Sequence, residues 1–422
     1  MKKSTPAPTA HANSHLAWLW VPALCFGRGL MLVSVMLVAM MMLKRNGQAN
    51  SWASFVPALM LLPFVLRGVI RPLVLAIRTW RWLMPLLQVF FIFAMMGVAS
   101  ALGKSASATY WWFAAGALCC TVHDMVAADL CTQWCHGWQR NRVQACLFCA
   151  ILAVVLGFGG TLILAGDMEV LSRQLHEAWS LAFHLLAAMM TVVALICALT
   201  LRPSPQWKKM NMEEAWQWCR SETEHWWLFR HQRLYAFCLV LLTLHEWMIW
   251  WGVPMFLVDP GSIGGLSMGP QEVGYVLGTL GVMMLVAGCV AGYWAIGRHG
   301  LRRWLWPMVM AASLPDVLLV YLAFAMPSDI WHVFACLGLE NFCCGFGMAG
   351  ILTYIMYYGH GRGMAAHADI YLSLFALSAM VAGVATGFIQ DYFGYRRFFI
   401  VVVGAALVAV AAFASIPHLR RK

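Results

Sequence analysis

Charge is what this 422-residue chain has least of. Asp, Glu, Lys and Arg together make up 11% of it, under half of the roughly 25% usual in soluble proteins. Acids are scarcest, with 17 Asp and Glu against 28 Lys and Arg and a net charge of +11. A soluble exterior needs charge to face water, so a soluble protein is excluded. The 62% of hydrophobic residues must instead face lipid, and the chain reads as an integral membrane protein. Its cations are spread along the sequence rather than clustered. That excludes nucleic acid as a partner and suits loops facing the anionic cytoplasmic leaflet.

Catalytic and metal signatures are missing as well. Of the 14 cysteines most fall inside apolar runs, Cys25, Cys119, Cys197 and Cys238 among them, where they act as small hydrophobes. Cys146 and Cys149 form a CxxC near Cys131, Cys135 and His136, but a second ligand pair at zinc-finger spacing is lacking. No metal or other cofactor is expected. His245-Glu246 begins like a zinc-protease HExxH and ends at Ile249 without the second histidine. His123 and Asp129 are too far apart for an acyltransferase HxxxxD. No nucleophile elbow or phosphate loop occurs, so an enzyme is not expected. A cleaved signal is not expected either. Residues 1–15 are a polar tail, and the run Leu16–Leu43 far exceeds an h-region of about 7–15 residues.

What is there is a series of apolar runs, each near the roughly 20 residues that a helical span needs. They lie at 16–43, 53–77, 82–102, 108–132, 142–166, 177–201, 234–258, 270–296, 304–326, 330–357, 366–390 and 398–416. The longest polar stretch, 202–233, divides them into two sets of six. The expected organisation is a tail (1–15), a first bundle (16–201), a linker (202–233), a second bundle (234–416) and a short end (417–422). Within the linker, EEAWQWC and TEHWWLF read as amphipathic helices with tryptophans at headgroup depth. With the N-terminus inside, nineteen of the 28 lysines and arginines fall in cytoplasmic loops and six opposite them. That bias puts both termini in the cytoplasm.

Two six-helix sets joined by a cytoplasmic linker follow the plan of the major facilitator superfamily, in which two pseudo-symmetric bundles rock about a central cavity. Three segments carry a closer resemblance. They are Leu61–Gln88 (LLPFVLRGVIRPLVLAIRTWRWLMPLLQ), Thr121–Leu130 (TVHDMVAADL) with the later Gly157–Gly160 run, and Leu277–Met308 with the stretch from Glu340. In these the chain resembles the AmpG-like branch, the muropeptide permeases and relatives that include acetyl-CoA transporters and some siderophore permeases. The resemblance implies an all-α fold of 12 transmembrane helices and functional acids at Asp124 and Asp129. It also implies a basic residue at Arg67. Two departures stand out. Leu73–Ile77 lacks the acid that usually follows the second span, and Gly297–Arg303 lacks it too. The one acid-glycine-arginine version, Asp391–Arg397, falls on the outer side. The usual gating latch is therefore in doubt.

An ionisable residue inside a span costs about 2.5–3.5 kcal/mol on insertion scales, so each one calls for a reason. Asp124 and Asp129 are five residues apart on the fourth span and cannot share one narrow stripe. Asp124 is expected to face the cavity with His123 beside it. Asp129 is either functional or paired with Arg140 or Arg142. Arg28 and Arg67 could offer a bidentate fork to an anionic solute, with Asp124 tuning them; the structural alternative for Arg67 is snorkelling, helped by Arg71. Glu246 and Glu340 are the expected cavity carboxylates of the second bundle. Burial disfavours the charged form of such groups, so Asp124, Asp129, Glu246 and Glu340 are the proton-coupling candidates. Asp316 is expected to serve the kink at Pro315, and His367-Ala-Asp369 to be helix-start chemistry. Trp111, Trp112, Trp250 and Trp251 read as an interfacial belt, while Gly278, Gly281, Gly345 and Gly347 read as close packing.

The expected function is proton-coupled import of an anhydromuropeptide by a monomer in the inner membrane of a Gram-negative cell. The partners are then a small solute, protons and the lipid bilayer. A permease for a siderophore or other amphiphilic solute is the alternative within the class. A non-transporting receptor on a transporter fold is the alternative outside it.

Overall fold

The computed structural model describes residues 14–78, 82–134, 148–201, 210–228, 230–358 and 364–414, and these are helical with short connections. Ten stretches are long and apolar enough to cross a membrane, from Trp18–Arg45 to Asp369–Ala414. Two details bring them to the twelve expected from sequence. Met364–Ala414 is two helices that meet at Gly394 (φ 74°), a left-handed conformation that favours glycine. The second span is interrupted into Asn50–Leu59, Leu62–Val65 and Arg67–Ile77. Pro63 causes the first break, because it has no N–H for the carbonyl of Leu59 and its ring clashes there.

The linker piece EEAWQWC and the described part of TEHWWLF, up to Leu228, form one helix, Met212–Leu228. It packs Ala215 and Cys219 on Leu75 of the second span. Its Trp226 stands edge-on to Tyr371 of the eleventh, ring centres 5.9 Å apart. The linker thus bridges both bundles at one end of the molecule. Its Cys219 thiol, pressed against the second span, is pushed up to about 11 by burial despite the pull of nearby Arg71.

The opposite end carries a polar seam between the bundles. Lys44 after the first span lies 2.6 Å from Asp259 after the seventh. Asn50 donates to Asp259 (3.0 Å) and to the hydroxyl of Tyr395 (2.9 Å), and that hydroxyl donates to Asp259. Asp391 accepts from the backbone N–H of Ser51 at 2.8 Å. The acid of the Asp391–Arg397 segment therefore caps the start of the second span.

Three π-helical stretches interrupt the first, fifth and eighth spans, at Ser34–Val38, Val155–Gly160 and Gly274–Gly281. The last two meet across the bundles. There a Cβ on Gly278 would strike the backbone of Gly159, so close backbone approach is what glycine provides, as expected of Gly278. Gly345 against Leu285 and Gly347 against Met308 are similar. Gly278→Val is expected to wedge this contact and cost about 1–3 kcal/mol, as overpacking does. Thermal unfolding in detergent checks it, and an unchanged midpoint would mean that the bundles part freely at this point.

The tryptophans expected to form a belt differ in burial. Trp111 is 76% exposed, but Trp251 is fully buried and its Nε1 donates to the Ala379 carbonyl.

Candidate functional site

The arginines of the second span form a ladder. Arg67, Arg71 and Arg78 sit on one helix stretch at intervals of one or two turns. Its acids come from two other spans. Asp124 on the fourth span takes Arg28 Nε of the first at 2.6 Å and Arg67 at 2.5 Å. Asp129 takes Arg71 at 2.7 Å and Arg78 at 3.2 Å. Asp369 crosses from the eleventh span to reach Arg67 (3.2 Å) and Arg71 (3.3 Å).

Among the described residues four guanidinium groups face three carboxylates, one positive charge in excess. Its side chains are not equally covered. Arg67 and Arg71 are 3% and 4% exposed, whereas Arg28 is 31% exposed. Arg28 is the most exposed of the four arginines.

Several expectations change here. Arg67 and Arg71 do not snorkel, because carboxylates hold them inside the protein. Asp129 finds Arg71 and Arg78; Arg140 and Arg142 lie outside the described residues, as do Cys135, His136 and Cys146. His123 does not stand beside Asp124 in the cluster. It is fully buried within the first bundle, 3.3 Å from the Gln88 amide, because adjacent residues on a helix point about 100° apart. Asp369 is more than helix-start chemistry: it ties the eleventh span to the second.

The second bundle holds a different group. Glu246 on the seventh span and Glu340 on the tenth are 5% and 4% exposed. Asn341 donates to Glu340 at 3.0 Å. No arginine or lysine pairs with either acid among the described residues. His245 Nε2 is 3.8 Å from both Glu246 and Asp316. Asp316 makes no side-chain cap on the helix it precedes, so it joins this acidic group rather than repairing the Pro315 kink. Sequence reasoning assigned Asp316 and Asp369 to local roles, because the partners they meet, His245 for one and Arg67 and Arg71 for the other, lie 71 or more positions away and only the packing reveals them.

Beside Glu340, where residues of both bundles meet, lies a cavity of about 20 Å³, lined by Leu37, Phe158, Trp250, Leu277, Glu340 and Asn341 among others. That is room for little more than a water. Leu37 lies about 13.5 Å along the first span from Arg28 and about 10.5 Å from Lys44, at 1.5 Å per residue. The bundles are thus bridged on both sides of this point, by Lys44–Asp259 on one and Arg67–Asp369 on the other. Trp250 faces the cavity rather than a membrane interface.

This arrangement defines a class: two helical bundles that close on a small central space with ion pairs on either side. No family model matches the chain, and no curated protein matches it by sequence. By shape it is similar to the nucleoside transporter NupG, at 12% identity and a TM-score of 0.67, covering 97% of this chain and 100% of that one. It is similar to a D-xylose-proton symporter at 11% identity and 0.67, covering 96% and 98%. The inward-open xylose transporter XylE from E. coli follows at 12% and 0.62, covering 94% and 95%. The chain has the major facilitator fold, all-α and membrane-embedded.

Proposed function

We propose that this chain is a proton-coupled secondary transporter working by alternating access, and that it imports a carboxylated solute of the anhydromuropeptide class across the inner membrane of a Gram-negative cell. The observation that carries the reading is Asp124 held between Arg28 and Arg67. A solute carboxylate can take the place of Asp124 on the exposed side of Arg28, with the planar fork of the guanidinium matching it. Arg28, Arg67 and Asp124 then form the binding group. Glu246 and Glu340, buried with no arginine or lysine partner among the described residues, carry the proton. Asp129, fixed by Arg71 and Arg78, holds the ladder in register. The AmpG-like resemblance supplies the solute class. The fold neighbours support transport, since those named are transporters and one is a proton symporter.

The aromatic and aliphatic lining of the cavity, Phe158 and Trp250 with Leu37 and Leu277, favours an amphiphilic solute such as a siderophore as the second reading. Vesicles with an imposed pH gradient separate the two. Labelled anhydromuropeptide should accumulate about tenfold per pH unit for one proton per solute, since one unit is worth about 1.4 kcal/mol. Accumulation of a ferric siderophore alone would select the second reading. If neither solute moves, the transporter reading gives way to a receptor.

A further inference from the structure

Glu246, Glu340 and Cys344 each place a ligand atom within 4.8 Å of the other two, and all three residues are buried. Glu340 and Cys344 are one turn apart on the tenth span and so share a face, and Glu246 meets them from the seventh. Neither oxygen of Glu246 receives a hydrogen bond from an N–H or O–H group. Its nearest donor is the Cys344 thiol, a weak one. Behind it Asp316, 1% exposed, also keeps Oδ2 without a donor. Leaving a buried carboxylate so poorly satisfied is costly. Protons relieve that cost in one way, and a cation sitting among the three side chains relieves it in another.

We infer that Glu246, Glu340 and Cys344 form a site for a divalent cation of the zinc class, filled in competition with protons. The donor set decides the ion. A thiolate beside two carboxylates prefers zinc or cadmium over magnesium, calcium or sodium, which want oxygen alone. Bonds of about 2.0–2.3 Å to oxygen and sulfur bring donors closer together than 4.8 Å, so binding draws the seventh and tenth spans together by small side-chain rotations. The charge balances: one dication enters and two protons leave, one from the Cys344 thiol as it ionises to coordinate and one from a carboxyl, so the buried site stays neutral with the second carboxyl still protonated. The inference rests on the reading of Glu246 and Glu340 as an exchangeable-cation site, but it needs no solute and no gradient.

The test uses the unaltered, chelator-stripped protein in lipid nanodiscs. Zinc is expected to slow alkylation of Cys344 at least tenfold, read on its own peptide by mass spectrometry, while magnesium leaves it unchanged. Cadmium should add a thiolate charge-transfer band that Cys344→Ser removes and Cys336→Ser keeps. About two protons should be released per ion. Glu246→Gln should weaken binding at least tenfold. Equal alkylation with and without zinc, or a cadmium band that survives Cys344→Ser, would overturn the site. Proton-driven uptake that persists when zinc fails to bind sinks this inference alone. Zinc binding in a protein whose uptake ignores the pH gradient sinks the coupling reading and leaves the site standing.

Discussion

Asp369→Asn is expected to raise the alkylation rate of Cys219 about a hundredfold. Among the described residues, Asp369 is the acid that carries an ion pair from the second bundle to Arg67 and Arg71. Removing one partner of a buried pair costs about 3–5 kcal/mol. Asp124 and Asp129 stay on the two arginines, so the lower end of that range applies, about 3 kcal/mol. At about 1.4 kcal/mol per factor of ten, the open form then gains about two orders of magnitude. Cys219 reports the change because it lies on the buried face of the linker helix, against Leu75, with Arg71 and Asp369 as its charged neighbours. Its thiol is pushed up to about 11 by burial, and the thiolate is the reactive form. In the closed protein reactivity should therefore climb tenfold per pH unit until near pH 11. In the opened protein it should level off near the ordinary thiol value of about 8.5. An Asp369→Asn protein with the wild-type pH profile at Cys219 would show that the bridge latches nothing.

Much of this was legible in the sequence, for reasons that differ by element. Apolar runs of about 20 residues announce spans because lipid offers the backbone no partner. The runs at 234–258 and 330–357 agree with helices ending at Val258 and Tyr358. The charged residues inside spans were found for the same reason: each stands out against an apolar background. Their pairing was less legible. The sequence shows that Asp124 and Asp129 cannot share a stripe, and the structure gives each its own rung of the arginine ladder. That Asp369 completes the ladder depends on how the eleventh span packs on the second, and no local pattern encodes it. Trp250 and Trp251 mislead for a related reason. Near a span end a tryptophan is usually interfacial, but Trp250 lines the cavity and Trp251 is buried against the eleventh span, where it donates to the Ala379 carbonyl.

Glu340→Gln and Glu246→Gln should each abolish gradient-driven accumulation and leave solute exchange running. Glutamine keeps the shape of a protonated glutamate but cannot release the proton, so a transporter locked in that form cycles only with solute bound. With a pH difference of one unit, accumulation should fall from about tenfold to none, while counterflow stays within about a factor of three of wild type. Asp124→Asn should behave differently. It removes the shared partner of Arg28 and Arg67, leaving Arg67 with Asp369 and Arg28 with the solute alone. Binding should tighten and release slow, because no internal carboxylate competes for the exposed guanidinium. Exchange and accumulation then fall together. The two signatures separate a proton carrier from a competitor for the anion site. Expression at the membrane must be equal for the comparison to count, since a fall explained wholly by lost protein would mark these acids as structural ion pairs. Full accumulation by both glutamine variants would remove Glu246 and Glu340 from coupling. Within the proposed coupling it would leave the arginine ladder, with Asp124 at its exposed rung, as the remaining place for a proton to act.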